Sequence, residues 1–232
     1  MLTLAIETSG SVGSVALSRD GTLIESLDLE RTGRRHAQTL VVTIRSLFER
    51  AGFRARDCDV VAVSIGPGSF TGLRVGVVCA KTFAYATGCQ VVAIDTFEAV
   101  AAASPADVDA LYVIDDAQRG DLYVGRYVRH DDGAFHRDGP IAMTNAESWC
   151  RRRSPGECIS GPGVERFEGY LPAGVRCLPP EYRFPTARSV ARLAERRVAE
   201  GETVDFWTLE PFYLRKSAAE EKWESSAGTI PK

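Results

Sequence analysis

The fold of this chain is decided by one stretch, Ser64-Ile65-Gly66-Pro67-Gly68-Ser69-Phe70-Thr71-Gly72-Leu73-Arg74-Val75-Gly76-Val77. It joins a predicted apolar strand, Val60 to Ile65, to a helix predicted to begin near Phe70. The glycines permit backbone angles that side chains forbid, and Ser69 is a good N-cap. Such a joint directs free N–H groups at one point, where an anion can bind. A tight turn that binds nothing is equally consistent, because the spacing fits neither GxGxxG nor GxxxxGK[ST].

The composition bounds the class of protein. The chain has 232 residues, of which 44% are hydrophobic, enough for one large core or two small lobes. The net charge of -3 argues against a globally basic nucleic-acid binder, so any RNA contact is expected to use a local patch or a partner's surface. The six cysteines never form CxxC, which indicates reduced thiols and neither a disulfide framework nor a zinc knuckle.

No targeting or membrane segment is predicted. The start, Met1 to Glu7, lacks a basic leader, and no window of 18 residues is both apolar and uncharged. We therefore expect a cytoplasmic protein with no membrane contact.

The pattern of elements predicts an α/β fold with two related lobes. Each lobe is roughly β-β-β-α-β-α, and the boundary lies near Ser104-Pro105, giving an N-terminal lobe over 1–105 and a C-terminal lobe with a polar tail over 106–232. The predicted strands are Leu2–Glu7, Val12–Ser18, Thr22–Leu29, Val60–Ile65, Val91–Ile94, Leu111–Ile114, Leu122–Val128 and Glu157–Ser160. The predicted helices are His36–Ala51, Phe70–Thr87, a short one around Asn145–Arg152, and Thr186–Glu200.

The second helix is apolar on nearly every face. Small residues recur every four positions, at Gly72, Gly76, Ala80 and Ala84, so another backbone can approach closely. That backbone belongs either to the same subunit or to another chain. The glycines favour an interface, since each costs about 1 kcal/mol of helix propensity relative to alanine.

No catalytic set is evident in the sequence. The three histidines lack the i,i+4 pairing of a helical zinc site, and no Ser-His-Asp or Cys-His arrangement is recognisable. Glu7 and Asp95 end strands where active-site carboxylates often lie, and a structural role as strand-end caps is equally consistent. Asp115-Asp116 could face a cleft between the lobes.

These residues together resemble the TsaB (YeaZ) family. The glycine stretch carries the resemblance most specifically, and it extends in order over nearly the whole chain. The other matching pieces are Leu4-Ala5-Ile6-Glu7-Thr8-Ser9, the helix start His36 to Leu40, Asp95-Thr96-Phe97-Glu98-Ala99, Asp116-Ala117-Gln118-Arg119-Gly120-Asp121-Leu122-Tyr123 and Pro211-Phe212-Tyr213-Leu214-Arg215. Gln118 departs from the arginine that the family more often has.

The resemblance implies an actin/Hsp70/sugar-kinase (ribonuclease H-like) fold and a close relationship to TsaD, the catalytic paralogue. TsaD carries an Asn-His-x-Glu-x-His metal motif, and this chain has Thr96 and Val100 in place of both histidines. It therefore resembles a non-catalytic subunit that binds and activates TsaD, with TsaE as an ATPase partner, in transferring threonylcarbamoyl to the adenosine beside the tRNA anticodon. No tightly bound cofactor or metal is expected, and ATP is used by the assembled complex.

The resemblance also implies contact residues. The first two helices are expected to contact TsaD, or a second copy when TsaD is absent. The predicted interface residues are Leu40, Ile44, Leu47, Phe48, Gly72, Leu73, Gly76, Val77, Ala80 and Ala84. We expect Gly76→Leu or Ala80→Arg to abolish pairing and leave the monomer folded. Candidate nucleotide contacts are Gly66, Gly68, Ser69 and Arg74.

Three other functions remain open. The first is an independent ATP-dependent kinase or carbamoyltransferase of the same fold, although Gly10-Ser11-Val12 lacks the acidic residue that a phosphate-metal site usually has there. The second is a peptidase, for which no nucleophile is recognisable. The third is an interaction protein unrelated to tRNA, which the identity of its partner would distinguish.

Overall fold

The structure is a computed structural model that describes residues 1–29 and 36–215. Side chains are described for residues 1–29 and 39–215. The N-terminal residues form the first sheet. Its strands are β1 (Leu2–Glu7), β2 (Ser14–Arg19), β3 (Thr22–Asp28), β4 (Val60–Gly66) and β5 (Gln90–Asp95). They lie in the order β3-β2-β1-β4-β5. The first three strands are antiparallel, and β1, β4 and β5 are parallel.

Three helices accompany this sheet in sequence: α1 (His36–Ala51), α2 (Phe70–Thr87) and α3 (Thr96–Ala101). The alternation of side chains along each strand gives the sheet two apolar faces. Leu4, Ile6 and Val63 face α1 and α2 in one core cluster. Ala5 and Ala62 face the opposite side, where their small side chains let a further helix approach.

The second sheet repeats the order of the first. Its strands are β6 (Ala110–Gln118), β7 (Asp121–Arg129), β8 (Phe135–Arg137), β9 (Ala142–Asn145), β10 (Cys158–Ser160) and β11 (Arg176–Cys177). The order β8-β7-β6-β10-β11, with β9 paired to β7, matches that of the first sheet strand for strand, including which neighbours are parallel. This duplication confirms the predicted actin/Hsp70/sugar-kinase type of fold.

The remaining helices are α4 (Ala146–Arg151), α5 (Val164–Phe167) and α6 (Ala187–Ala199). Although α6 follows the second sheet in sequence, Val190 and Ala194 pack in the core cluster of Ala5 and Ala62 on the first sheet. The C-terminal half of the chain therefore covers the open face of the N-terminal sheet. The expected boundary near residue 105 stays a prediction, and the polar tail beyond residue 215 lies outside the described residues.

The predicted helix bounds agree with the observed α1 and α2, the predicted first strand agrees with β1, and the other predicted strands differ by at most four residues at either end. The sequence prediction omitted the short elements α3, α5, β8, β9 and β11. Within residues 1–29 and 36–215, no helix is long and apolar enough to cross a bilayer.

Candidate functional site: the cleft between the lobes and the outer face of α1 and α2

The glycine joint is shaped by contacts within the chain. Gly66 has φ +127°, and a Cβ there would lie 2.6 Å from the carbonyl oxygen of Phe212. Gly68 has φ +155°, and its Cβ would lie 2.8 Å from the Ser9 carbonyl oxygen. Ser69 caps α2 by accepting a hydrogen bond from the Gly72 N–H (3.3 Å). Intramolecular packing is thus sufficient to require glycine at both positions.

The small-residue stripe of α2 faces the end of β1. A Cβ at Gly72 would lie 2.0 Å from the Thr8 carbonyl oxygen, and one at Gly76 would lie 2.3 Å from Thr8 Oγ1. The Thr8 hydroxyl donates a hydrogen bond to the Gly72 carbonyl (2.8 Å). The close approach that the glycines predicted is therefore present, but the backbone that approaches belongs to the same chain.

This finding bears on the predicted interface residues, whose contact with a partner stays a prediction. The structure buries all of them inside the chain, in the α2 stripe and in the core between α1, α2 and the first sheet: Leu40, Ile44, Leu47, Phe48, Gly72, Leu73, Gly76, Val77, Ala80 and Ala84. They cannot supply an exposed surface, because their faces are occupied by the first sheet. For the same reason, we expect a larger side chain at Gly76 or Ala80 to overpack the core. The effect of Gly76→Leu and Ala80→Arg on pairing stays a prediction.

A different set of apolar side chains is exposed on these two helices. We call it the outer face, and it consists of Val41 and Val42 on α1 and Val78 and Tyr85 on α2, which are 66%, 65%, 61% and 70% exposed. The two helices are held together below this face by Phe48 and Phe83, whose rings stack at 5.9 Å. The sequence prediction missed the outer face on α2, although Arg74, Val78, Thr82 and Tyr85 follow helical spacing.

A C-terminal strap, residues 203–215, connects the outer face to the cleft. The Lys81 ammonium donates hydrogen bonds to the carbonyls of Trp207 and Leu209 (both 3.1 Å). The Trp207 ring, 67% exposed, then lies 5.9 Å from that of Tyr85. Trp207 thereby extends the outer face with a residue distant in sequence.

The same strap is fixed to both lobes. The Phe212 N–H donates to the Ile65 carbonyl (2.7 Å) at the glycine joint. Tyr213 stacks on Phe70 at 4.7 Å and accepts a hydrogen bond from Arg74 Nε (3.2 Å). Arg215 binds Asp121 (2.8 Å) in the second lobe. The strap therefore spans the opening between the lobes.

The cleft itself has a volume of about 1190 Å³. Its walls come from both lobes: Ser9, Gly10, Ser11, Pro67, Gly68, Ser69, Phe70, Thr96, Phe97, Asp115, Asp116, Ala117, Gln118, Arg119, Tyr123, Pro162, Glu165, Phe184, Pro185, Phe212, Tyr213, Leu214 and Arg215. Of the candidate nucleotide contacts, Gly68 and Ser69 line it. Gly66 lies beneath Phe212, and the Arg74 guanidinium lies 4.2 Å over the Phe70 ring. Nucleotide contact by these residues stays a prediction.

Two of the predicted carboxylates end strands of the first sheet. Glu7 is fully buried and accepts hydrogen bonds from the Ser9 N–H and hydroxyl (both 2.5 Å). Burial raises its pKa, opposed by the hydroxyls of Ser64 and Ser9. Asp95 caps α3 through the Phe97 N–H (2.8 Å), and burial raises its pKa to about 6 although Tyr127 donates to it. Both therefore have a structural role.

The second lobe places Asp115 and Asp116 in the cleft wall, as the sequence suggested. Burial raises the pKa of Asp115 to about 6. Asp116 is bound by Arg166 and accepts the Gln118 N–H (2.8 Å). Gln118 and Arg119 form the tight β6–β7 turn, with φ of +65° and +58°, and both line the cleft. Asp115 and Asp116 can therefore contribute negative charge to a ligand site between the lobes.

The start of α3 is occupied by structural contacts. Thr96 Oγ1 accepts a hydrogen bond from the Gly66 N–H (3.1 Å), and Val100 is fully buried among apolar side chains. Glu98 is nearly buried and is paired with Arg197 (2.7 Å) and Arg196 (3.6 Å) on α6. In the described part of the chain no three His, Cys, Asp or Glu side chains are grouped so as to hold a metal ion.

Comparison with known proteins gives matches to a TsaD family model and to proteins named TsaB. Residues 30–136 match the profile of TsaD, described as tRNA N6-adenosine threonylcarbamoyltransferase. The Escherichia coli protein "tRNA threonylcarbamoyladenosine biosynthesis protein TsaB" is 29% identical over 96% of this chain and 98% of its own length. The Bacillus subtilis protein of the same name is 27% identical over 97% and 99%.

A solved structure agrees with these matches. That of YeaZ from Pseudomonas aeruginosa superposes with a TM-score of 0.80 at 27% identity, covering 92% of this chain and 99% of that one. Sequence and fold thus agree over nearly the full length, with the duplicated sheet order and the glycine joint both in place. Over nearly its full length, the chain is similar to proteins of the TsaB (YeaZ) family.

Proposed function

We propose that this chain is a non-catalytic subunit of the complex that transfers threonylcarbamoyl to the adenosine beside the tRNA anticodon, and that it binds and activates a TsaD-like catalytic subunit. The observation that carries the proposal is the outer face. Four large apolar side chains, each more than 60% exposed, lie on two neighbouring helices. Exposed apolar clusters of this kind mark interaction sites more often than scattered single residues do.

The outer face also suits a protein partner in detail. Tyr85 and Trp207 supply two adjacent aromatic rings, the residue types that contribute most to binding energy at interfaces. The Lys81 hydrogen bonds hold the backbone at Trp207, and its ring packs against those of Tyr85 and Phe206, so little ordering is needed on binding. The contact with TsaD is accordingly assigned to these exposed residues and not to the buried small-residue stripe.

The non-catalytic part of the proposal rests on the start of α3. The two positions that correspond by resemblance to the histidines of the TsaD metal motif are Thr96 and Val100. The hydroxyl of Thr96 accepts the Gly66 N–H, and Val100 has no ligand atom. Glu98, which matches the glutamate of the motif, is neutralised by two arginines. The metal-dependent step is therefore assigned to TsaD.

The remaining parts of the proposal follow from the family. A TsaE-like ATPase joins the pair, ATP is consumed by the assembled complex, and tRNA is contacted mainly through the partners. The complex operates in the cytoplasm. In the absence of TsaD, the outer face supports self-association as a homodimer.

The test is co-purification of this chain with the TsaD of the same organism, followed by an assay of tRNA modification with TsaE, ATP and the threonylcarbamoyl-adenylate. Val78→Glu places a charge at the centre of the outer face, and Met143→Glu places one at a 42% exposed residue of the second lobe as a matched control. We expect Val78→Glu to lower TsaD affinity at least about 30-fold, the magnitude of a lost hot spot, with an unchanged melting temperature. Equal TsaD binding by both variants would refute this placement.

The cleft supports a second candidate function. The partly buried Asp115 beside Asp116, in a cavity of about 1190 Å³, favours an independent ATP-dependent kinase or carbamoyltransferase of the same fold. Metal-dependent ATP turnover by the isolated chain would support it. A chain that is inert alone and required for modification by the complex would exclude it.

A further inference from the structure

Two cysteines meet at the edge of the first sheet opposite to the glycine joint. Cys58 comes two residues before β4, and Cys89 comes one residue before the parallel neighbour β5. The residues that follow them are joined directly, since the Gln90 N–H donates to the Asp59 carbonyl (3.0 Å). Both cysteines pack in the same core cluster, so strand pairing brings the two thiols together from positions 31 apart in sequence.

The surroundings make the two thiols unequal. Cys58 is 5% exposed, and its Sγ lies 3.1 Å from the Val60 carbonyl oxygen. Cys89 is partly exposed, in the turn after Gly88 ends α2. The neighbouring Cys58 thiol lowers the pKa of Cys89 to about 7 against the opposing effect of burial, while the pKa of Cys58 is raised. A partly exposed thiolate beside a protected second thiol is the arrangement of a peroxide-sensitive pair.

We propose that Cys58 and Cys89 form a reversible, peroxide-responsive disulfide pair. Cys89 is the residue that reacts first, because its thiolate is reachable from solvent. Cys58 is the resolving residue, because it packs in the same core cluster as Cys89 and is shielded from solvent.

The chemistry needs only hydrogen peroxide. The Cys89 thiolate attacks one peroxide oxygen, the O–O bond breaks, and the departing hydroxide takes up a proton and leaves as water. The resulting Cys89 sulfenic acid is attacked by the Cys58 sulfur, the S–O bond breaks, and the second water leaves with the Cys58 proton. Two thiols lose two electrons in total, and one peroxide is reduced to two waters. A dithiol reductant reduces the disulfide back to the two thiols.

The position of the bond gives it a consequence for the fold. The closed loop from Cys58 to Cys89 contains β4, the glycine joint and the whole of α2. Oxidation would therefore tether both ends of the segment that carries half of the outer face. Because a cross-link restricts the unfolded chain, the oxidised protein is expected to melt at a higher temperature.

The experiment is thiol titration and peptide mass spectrometry of the full chain before and after hydrogen peroxide. We expect two of the six thiols to disappear, a single disulfide-linked peptide pair containing Cys58 and Cys89, and full recovery with dithiothreitol. Cys58→Ser should leave Cys89 as a sulfenic acid that dimedone traps. Cys89→Ser should leave Cys58 unmodified.

Cys79→Ser is the matched control, since Cys79 packs in the same cluster and burial raises its pKa to about 11. That variant should form the disulfide at the wild-type rate. An unchanged thiol count, a disulfide to any other cysteine, or Cys89 accumulating as sulfenic acid in the wild type would each overturn the proposal. Melting temperatures of the reduced variants check that they are folded. The thiol count and the disulfide-linked peptide are measured on the wild type, so they test the proposal even if a variant does not fold.

Discussion

Gly72→Ala is the substitution that most directly tests the internal packing of α2. The new Cβ would lie 2.0 Å from the Thr8 carbonyl oxygen and 3.1 Å from its carbonyl carbon. These are backbone atoms of a fully buried residue, so they cannot rotate away. The helix must shift outward, which also stretches the hydrogen bond from the Thr8 hydroxyl to the Gly72 carbonyl.

The magnitude follows from three opposing effects. Overpacking of a filled site costs roughly 1–3 kcal/mol. Disturbing a buried hydrogen bond and leaving its groups poorly paired costs roughly 1–3 kcal/mol more. The better helix propensity of alanine returns about 1 kcal/mol. We expect a net loss of about 3 kcal/mol in the free energy of unfolding, or roughly 10 °C in melting temperature for a chain of this size.

The assay is urea unfolding followed by circular dichroism, with Thr82→Ala on the exposed side of the same helix as control. The control should stay within about 0.5 kcal/mol of wild type, as surface substitutions usually do. If Gly72→Ala were as stable as the control, the stripe would not be packed against β1. The interface assigned to it by the sequence prediction would then become tenable again.

Two further predictions concern the carboxyl at the start of α3 and the strap. The folded pKa of Asp95 is raised from 3.8 to about 6, so this group stabilises the fold fully only below its unfolded pKa and loses that contribution as the pH rises through 6. In urea unfolding, Asp95→Asn should therefore match wild type at pH 4 and be up to about 3 kcal/mol more stable at pH 7. A stability difference of the same size at both pH values would show that titration of Asp95 is not its cause. Lys81→Met keeps the aliphatic stem but removes the hydrogen bonds to the carbonyls of Trp207 and Leu209. We expect faster proteolytic cleavage within residues 203–215 at an almost unchanged melting temperature, and cleavage at the wild-type rate would mean that Lys81 does not hold the strap.

Much of the fold could be predicted because its signals are local. The strand–glycine–helix joint, helix α1 and the antiparallel neighbours β2 and β3 are each set by a few neighbouring residues. The start of α3 was omitted although its signal is also local: Asp95 as N-cap with Glu98 three positions later is typical of a helix start. A six-residue helix has too few apolar positions to show the helical period of about 3.6 residues, so the sequence pattern does not predict it.

The direction of α2 could not be predicted in the same way. A helix that is apolar on nearly every side has no polar face to show which side points away from the core. Whether Gly72 approaches its own β1 or a second chain depends on Thr8, 64 residues away. The strap is harder still, because residues 203–215 form no helix or strand and their contacts run to residues more than 90 positions earlier.

These contacts change how the glycine joint relates to function. Its glycines are explained by the approach of Phe212, Ser9 and Thr8, so the joint is first a point where three segments of one chain cross. That crossing fixes α2 against the sheet on one side and leaves Val78 and Tyr85 exposed on the other. The strap then returns over the same helix and adds Trp207 beside Tyr85. A surface assembled from α1, α2 and the strap depends on the joint for its shape although no joint residue belongs to it. Substitutions at the glycines and at the outer face should therefore separate folding from partner binding.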